Sequence, residues 1–140
     1  MLSPVSELAQ KVRGRIALGR GAWARRYAAS LVAVERTVDW VSGACLLVRR
    51  EAALEAGLFD ERFFLYEEDV DFCASLRARG GRILFTPAVE VVHLRGRSAG
   101  ASDAAARHYD RSHLAFYRKH GPRWVPWLSL WQRLRGRPVR

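Results

Sequence analysis

The sequence predicts an α/β domain with a helical tail. Its length with its apolar content, and its pattern of apolar runs and helical stretches, support that fold class. Its 140 residues are 49% hydrophobic, which gives enough chain and apolar content to bury a core. Between residues 38 and 93, short apolar runs alternate with helical stretches, as in layered folds of sheets and helices. Only two cysteines are present, too few for a disulfide framework or a zinc knuckle, so we expect a reducing, cytoplasmic setting.

The first 37 residues predict a basic, partly helical segment. Residues 6–12 can form one or two helical turns, and residues 23–34 can form a further helix whose large apolar side chains recur every four positions. Three glycines between these stretches interrupt them. We therefore expect a surface segment that packs loosely on the core.

An extended segment and a short helix follow. Residues 38–48 carry an apolar run after Gly43, which predicts a strand buried on both faces. Residues 50–56 predict a short helix, and Gly57 occupies the position of a C-cap. Residues 58–66 are rich in aromatic side chains and predict a loop or a short strand.

The next stretch predicts one helix followed by two strands. Asp69 is the expected N-cap of a helix over residues 70–79, which a Gly-Gly pair ends. The residues expected to face the core from this helix are Phe72, Cys73 and Leu76. Strands are predicted over residues 82–86 and 89–93, and a further helix over residues 101–119.

The net charge of +10 is distributed unevenly. Residues 1–38 carry seven basic and two acidic side chains, and residues 93–140 carry eleven basic and two acidic. Residues 39–92 are acidic instead, with six basic and ten acidic side chains. An acidic centre between basic flanks does not suit a nucleic-acid-binding surface, and no motif of that class is present, so we predict no nucleic-acid partner. Such a centre suits a metal ion or acid–base chemistry.

Four carboxylates lie within residues 67–71, directly after the aromatic stretch. Because they repel one another, a cation or a helix N-terminus has to offset the cost of bringing them together. Asp69 and Asp71 cannot share one helix face, so we expect them to do different jobs. The alternative is a solvated first helical turn, but the adjacent apolar wall favours a base with a tuned pKa.

His93 and the basic loop after it form a second candidate site. His93 ends a predicted strand, where an open α/β sheet places ligand groups, although a lone histidine there is more often structural. Arg95 and Arg97 can contact a phosphate through their guanidinium groups, and the alternative for this loop is a solvated turn.

Taken in order, these motifs resemble the C-terminal half of bacterial family 2 glycosyltransferases of the rhamnosyltransferase type. The resemblance is carried by residues 38–52, by 57–73 with its Glu-Glu-Asp-Val-Asp run, and by 91–93. It implies the acceptor and catalytic subdomain of a GT-A, Rossmann-like fold over residues 38–120, with a basic, Trp-rich tail over 121–140. It further implies inverting transfer of a sugar from a nucleotide-sugar to an acceptor hydroxyl, in the synthesis of cell-surface polysaccharide or lipid-linked glycan.

The resemblance also implies roles for single residues. The aspartate of the family's Glu-Asp pair is the general base, and here it falls on Asp69, with Glu68 before it. His93 matches the histidine that often completes the site for a Mg²⁺ or Mn²⁺ ion. The implied substrate-binding residues are Trp40, Ser42 and Gly43 in the pocket segment, Asp71 at the loop or an acceptor hydroxyl, and Arg95 and Arg97 at the diphosphate.

One departure from the family concerns the nucleotide site. Family members carry an N-terminal nucleotide-binding half with an Asp-x-Asp metal motif, whereas the only Asp-x-Asp in this sequence is Asp69-Val70-Asp71. We therefore expect a fragment, a split gene product that works with a separate N-terminal half, or a chain that starts at an internal Met1, and in each case no activity for the chain alone.

A different class of function is a non-catalytic basic module that docks on an anionic membrane surface or on a partner protein. Trp124, Trp127 and Trp131 lie among arginines, as interfacial residues do at a bilayer surface. Both interpretations hold together if the acceptor is lipid-linked. No stretch reaches the roughly 18 apolar residues of a membrane span, so we expect peripheral contact with the inner membrane face.

Overall fold

A computed structural model describes residues 3–94 and 103–136. Its elements in chain order are α1 (Pro4–Ala17), α2 (Ala22–Val32), β1 (Arg36–Val38), a 3-10 turn (Gly43–Cys45), α3 (Arg50–Ala56), α4 (Glu68–Ala78), β2 (Ile83–Phe85), α5 (Asp103–His120), a second 3-10 turn (Pro122–Trp124) and α6 (Val125–Leu134). Among these described helices, none combines the length and the apolar character needed to cross a bilayer.

The first hydrophobic core lies between α3, α4 and the sheet. β1 and β2 pair antiparallel, with Arg36 opposite Phe85 and Val38 opposite Ile83. The buried side chains of this core are Ala53, Ala56, Phe72, Cys73, Leu76 and Ile83. The three side chains of α4 that were expected to face the core therefore do so.

The second core lies on the other side of α4, against α5 and α6. Its buried side chains are Phe63, Leu114, Phe116, Tyr117 and Leu128. Val70 and Ala74 of α4 pack against them. Because α4 contributes to both cores, its first turn is held between them.

Local sequence explains where several helices begin and end. α1 begins with a capping box, in which Ser3 and Ser6 each donate a backbone N–H to the other's hydroxyl. α3 ends at Gly57, whose φ of 87° is the left-handed conformation of the predicted C-cap. The N-cap of α4 was predicted wrongly, because Glu67 precedes the first helical residue and Asp69 lies inside the first turn.

Two predicted strands are not strands in the structure. Most of residues 38–48 has irregular backbone, and Leu47 is 98% exposed. Residues 89–93 are also irregular, and Val92 is 87% exposed. A strand needs a hydrogen-bonded neighbour, and within the described ranges only β1 and β2 provide one for each other. The strand predicted over residues 82–86 is present as β2.

The described chain is a mixed α/β structure that is rich in helix. The predicted helix over residues 101–119 is α5, with residues 101 and 102 outside the described ranges, and the predicted helical tail is α6. In α2 the one buried residue is Ala24, which agrees with the expected surface position of the N-terminal segment. The sheet of a Rossmann-like fold is larger than this two-stranded pair, so that finer feature remains a prediction.

Candidate functional site

The first turn of α4 places Asp69 against the 3-10 turn that begins at Gly43. The Gly43 N–H donates to Asp69 Oδ2 at 2.9 Å, and the Val70 N–H donates to Asp69 Oδ1 at 2.8 Å. Asp69 is half-buried, and the unpaired N–H dipoles of a helix N-terminus favour a negative charge at its position. Two backbone donors on different segments thus set the orientation of the carboxylate.

Two of the predicted site segments therefore meet. Ser42 begins the 3-10 turn by accepting a hydrogen bond from the Ala44 N–H, which leaves the Gly43 N–H directed at α4. A Cβ at Gly43 would lie 3.5 Å from the Asp69 Cβ, so the two backbones are nearly in contact. Ser42 and Gly43 are exposed, and Trp40 is half-buried against the first core.

An ion pair attaches the pocket segment to the far end of α4. Arg77 Nη1 lies 2.6 Å from Asp39 Oδ1. Between this pair and Asp69, the buried Cys73 packs its thiol beside the Val41 carbonyl, at 4.0 Å. Burial raises the pKa of the Cys73 thiol, so Cys73 acts as a neutral core residue rather than a nucleophile.

The residues just before Asp69 have an unusual backbone. Tyr66 and Glu67 both have a φ of 66°, a left-handed conformation that costs free energy for residues other than glycine. Burial raises the pKa of the Glu67 carboxyl to about 7, reinforced by the negative charges of Glu7 and Asp69 and opposed by His113. Glu67 therefore changes its protonation state near neutral pH, one residue before the predicted Glu68–Asp69 pair.

Glu68 carries a buried acceptor with no partner. Its Oε2 atom is shielded from solvent, and no atom of the described residues donates a hydrogen bond to it. Buried carboxylate oxygens are normally paired, so this unpaired oxygen makes the charged form of Glu68 costly.

Asp71 has surroundings quite different from those of Asp69. It is 1% exposed, and it accepts hydrogen bonds from Lys119 Nζ at 2.8 Å and from His120 Nε2 at 2.7 Å. Lys119 Nζ also donates to Asp60 Oδ2 at 2.9 Å. Desolvation lowers the pKa of the Lys119 ammonium, but its bonds to Asp71 and Asp60 outweigh that effect and raise it overall.

Next to the helix start, a second polar cluster joins α1 to α5. Glu7 Oε2 lies 2.9 Å from His113 Nε2 and accepts a hydrogen bond from Tyr117 Oη at 3.0 Å, while Lys11 bonds the other carboxylate oxygen. Burial alone would raise the pKa of the Glu7 carboxyl, but His113 and Lys11 lower it to about 2. Tyr109 links this cluster to the strained loop through an edge contact with Tyr66.

The other predicted site residues are His93, Arg95 and Arg97. His93 is exposed on irregular backbone, and Arg95 and Arg97 lie outside the described residues. Within the described ranges, no group of three His, Cys, Asp or Glu side chains could hold a metal ion. These residues therefore do not by themselves form the divalent-cation site that the sequence predicts.

Sequence reasoning missed the partners of Asp71 and of Glu7. Lys119 and His120 lie 48 and 49 residues after Asp71, and no local pattern connects them. One signal was present for the other cluster, because Tyr109, His113 and Tyr117 recur every four residues, which places three polar aromatic side chains on one face of α5.

Curated proteins with similar sequences are glycan-synthesis proteins, two of them rhamnosyltransferases. The chain is 40% identical over 92 residues to the N-acetylglucosaminyl-diphospho-decaprenol L-rhamnosyltransferase of Mycobacterium tuberculosis strain H37Rv, covering 64% of this chain and 30% of that protein. It is 36% identical over 59 residues to rhamnosyltransferase WbbL of Escherichia coli K12, covering 42% and 22%. It is 33% identical over 97 residues to the O-antigen biosynthesis protein RfbC of Myxococcus xanthus, covering 68% and 8%.

These figures mean that the chain spans less than a third of the length of each of these relatives. No solved structure showed a significant match to the chain. A family model described as glycosyltransferase like family 2 matches residues 16–126, which include the first core, all of the second core except Leu128, and the whole of α4. The chain therefore belongs to glycosyltransferase family 2.

Proposed function

We propose that this chain carries the catalytic and acceptor-binding part of an inverting glycosyltransferase with the GT-A fold of its family. One observation supports this above the others. A half-buried carboxylate, Asp69, is held by the backbone N–H groups of Gly43 and Val70 at the start of a helix, beside an exposed pocket segment. A general base needs this fixed orientation and an open approach for the acceptor.

In the proposed reaction Asp69 accepts the proton of an acceptor hydroxyl. As the proton leaves, the hydroxyl oxygen attacks the anomeric carbon of the donor sugar from the face opposite the departing nucleoside diphosphate, which inverts that centre. Glu68 precedes Asp69 and forms with it the Glu-Asp pair of the proposed site. Trp40, Ser42 and Gly43 line the pocket, and Asp71 steadies it.

The nucleotide site requires a further part of the enzyme. The sequence has no Asp-x-Asp before Trp40, so we propose that a nucleotide-binding half outside these 140 residues supplies the nucleotide site and that these residues alone are inactive. Apolar side chains on irregular backbone offer a surface for that half. They are Leu47, Val89, Val91, Val92 and Leu94, all of them exposed. Pairing with additional strands would bury them and satisfy the backbone groups beside them.

The cation and the diphosphate contacts belong to that complete enzyme. We propose that Mg²⁺ or Mn²⁺ binds there with His93 among its ligands, and that Arg95 and Arg97 contact the diphosphate. A divalent ion stabilises charge on a leaving diphosphate. The proton transfer to Asp69 and the attack on the anomeric carbon do not depend on this ion, because the described residues do not form its site.

The names of the relatives suggest the substrates. Two of them are rhamnosyltransferases, and the Mycobacterium protein is named for a polyprenyl-diphosphate-linked N-acetylglucosamine acceptor. We propose a nucleotide-linked rhamnose as donor, and a lipid-linked glycan of the cell surface as acceptor.

A chimera tests the catalytic proposal. In it, residues 16–126 of this chain replace the corresponding region of the Mycobacterium relative, and rhamnose transfer to the lipid-linked acceptor is measured. We expect transfer by the chimera, none by this chain alone, and a kcat lowered roughly 10²- to 10⁴-fold by Asp69→Asn. Glu51→Gln, an exposed carboxylate on α3, should leave kcat unchanged. A chimera without transfer, or one indifferent to Asp69→Asn, would contradict the proposal.

A membrane-surface role is the second proposal, and the outer face of α6 supports it. Trp127, Leu130, Trp131 and Leu134 recur at helical spacing and are exposed, while Leu128 and Gln132 on the opposite face are buried. Arg133 and Arg135 lie beside this stripe, and the guanidinium of Arg135 stacks over the Trp131 ring at 4.3 Å. Such a face suits the headgroup region of an anionic bilayer, at the inner face of the membrane.

A further inference from the structure

Asp71 is a buried charge whose partners both come from the end of another helix. Its two oxygens are divided between Lys119 Nζ, at 2.8 Å from Oδ2, and His120 Nε2, at 2.7 Å from Oδ1. A carboxylate removed this completely from water is costly unless it is paired and hydrogen-bonded. The first turn of α4 therefore cannot shift relative to the end of α5 without breaking one of these bonds.

The same lysine extends the connection to the loop before α4. Lys119 Nζ donates to Asp60 Oδ2 at 2.9 Å, and Arg62 holds the same oxygen at 2.6 Å. The ammonium also lies 5.8 Å from the centre of the Phe63 ring, a residue of the second core. Lys119 thus joins the loop that leads into α4, the first turn of α4, and α5.

Movement of this turn reaches Asp69 directly. The Asp71 N–H donates to the Glu67 carbonyl at 2.8 Å, closing the helical turn that contains Asp69. Gly43 lies on a different segment of the chain, whose flanking residues Val41 and Leu46 pack on the first core. The 2.9 Å hydrogen bond between the Gly43 N–H and Asp69 therefore depends on the position of the first turn of α4 relative to the pocket segment.

We propose that Lys119 and His120 are positioning residues that act through Asp71 to hold the Asp69 carboxylate against the Gly43 N–H. Their importance for the reaction rests on the proposed function, but the positioning itself does not. Neither residue lies in the pocket segment, and neither has been assigned a role by the family motifs described above. They act from the end of α5, through their hydrogen bonds to Asp71.

Amide chemical shifts test this without any substrate. In ¹⁵N-labelled protein, the Gly43 amide proton reports its hydrogen bond to Asp69, and Asp69→Ala supplies the shift expected when that bond is absent. We expect Lys119→Met and His120→Phe to move the Gly43 resonance by more than half of the difference between wild type and Asp69→Ala. His120→Gln, which keeps a donor on the side chain, should restore most of the wild-type position.

The matched control is Arg118→Met, which removes one positive charge from the neighbouring exposed position on α5. It should leave the Gly43 resonance in place. If Lys119→Met gives the spectrum of an unfolded chain, His120→Phe provides the test by itself, since it removes the other donor to Asp71. Folded variants with an unmoved Gly43 resonance, or equal movement in Arg118→Met, would overturn the proposal.

The two proposals can fail separately. A chimera without transferase activity leaves the amide measurement and its conclusion intact. An active chimera whose kcat is unaffected by Lys119→Met, together with an unmoved Gly43 amide, overturns the positioning role alone.

Discussion

Carboxylates two residues apart on α4 meet opposite surroundings. Asp69 is half-buried and accepts hydrogen bonds from the backbone N–H groups of Gly43 and Val70, whereas Asp71 is buried and accepts from two basic side chains. Side chains two residues apart on a helix differ by about 200° in direction, so one is directed toward the pocket segment and the other toward α5. Different jobs for the two residues are what the sequence predicts, and this placement supports that division.

The titration of Glu67 makes the free energy of unfolding of the chain depend on pH. Its carboxyl has a pKa of about 7 in the folded chain, against an ordinary value of 4.5. Between these values the unfolded chain releases this proton while the folded chain retains it, so the free energy of unfolding falls as pH rises. The full effect is at most about 3 kcal/mol and is reached above pH 7.

Glu67→Gln isolates this contribution. Gln resembles the protonated carboxyl, so the variant should match wild type near pH 4.5 and exceed its stability by up to about 3 kcal/mol at pH 8. Urea unfolding at several pH values measures both proteins. Two curves that stay parallel from pH 4.5 to 8 would contradict the raised pKa.

At the scale of elements, α1 is attached to α5 mainly through one side chain. Glu7 bonds His113, Tyr117 and Lys11, while the apolar residues Val5, Leu8 and Val12 of the same helix are exposed. The lowered pKa of Glu7, about 2 against 4.5, means that this stabilisation is present above pH 4.5 and is lost as pH falls from 4.5 to 2.

Glu7→Gln should therefore loosen α1. Loss of the charged partner leaves His113 and Tyr117 poorly satisfied, at a cost of about 1 to 3 kcal/mol, which corresponds to roughly 5- to 150-fold faster amide exchange in α1. Hydrogen exchange followed by mass spectrometry reads peptides from residues 4–17. Glu35→Gln, an exposed residue between α2 and β1, is the control and should not alter them. Unchanged exchange in the Glu7 variant would show that other contacts hold the helix.

For the whole molecule, the flanks carry the positive charge and the centre carries the negative charge. α4 with its carboxylates lies between the two cores, and Asp71 on α4 pairs with Lys119 of the basic C-terminal flank. The net charge of +10 thus comes from the two flanks, whereas the reacting group proposed here is one of the minority acidic residues of the centre.

Vesicle flotation tests the membrane role of α6. Trp127→Ala with Trp131→Ala should reduce the fraction bound to vesicles that contain anionic phospholipid, and added salt should reduce wild-type binding as well. Trp23→Ala on α2 is the matched control, because Trp23 is 67% exposed and Trp127 is 69% exposed. Point substitutions are preferable to deleting the tail, since Leu128 belongs to the second core. Equal flotation of all variants would leave α6 without this role.

The sequence by itself determined the helices, the family and the identity of the candidate base. These features depend on local signals. The signals are helical periodicity, Gly57 at a C-cap and a run of carboxylates in the first turn of a helix. Only the tertiary structure decided which extended segments pair, and that Asp71 meets Lys119 and His120. Strand pairing and a buried ion pair each need a partner from distant sequence, and no local pattern specifies where that partner lies.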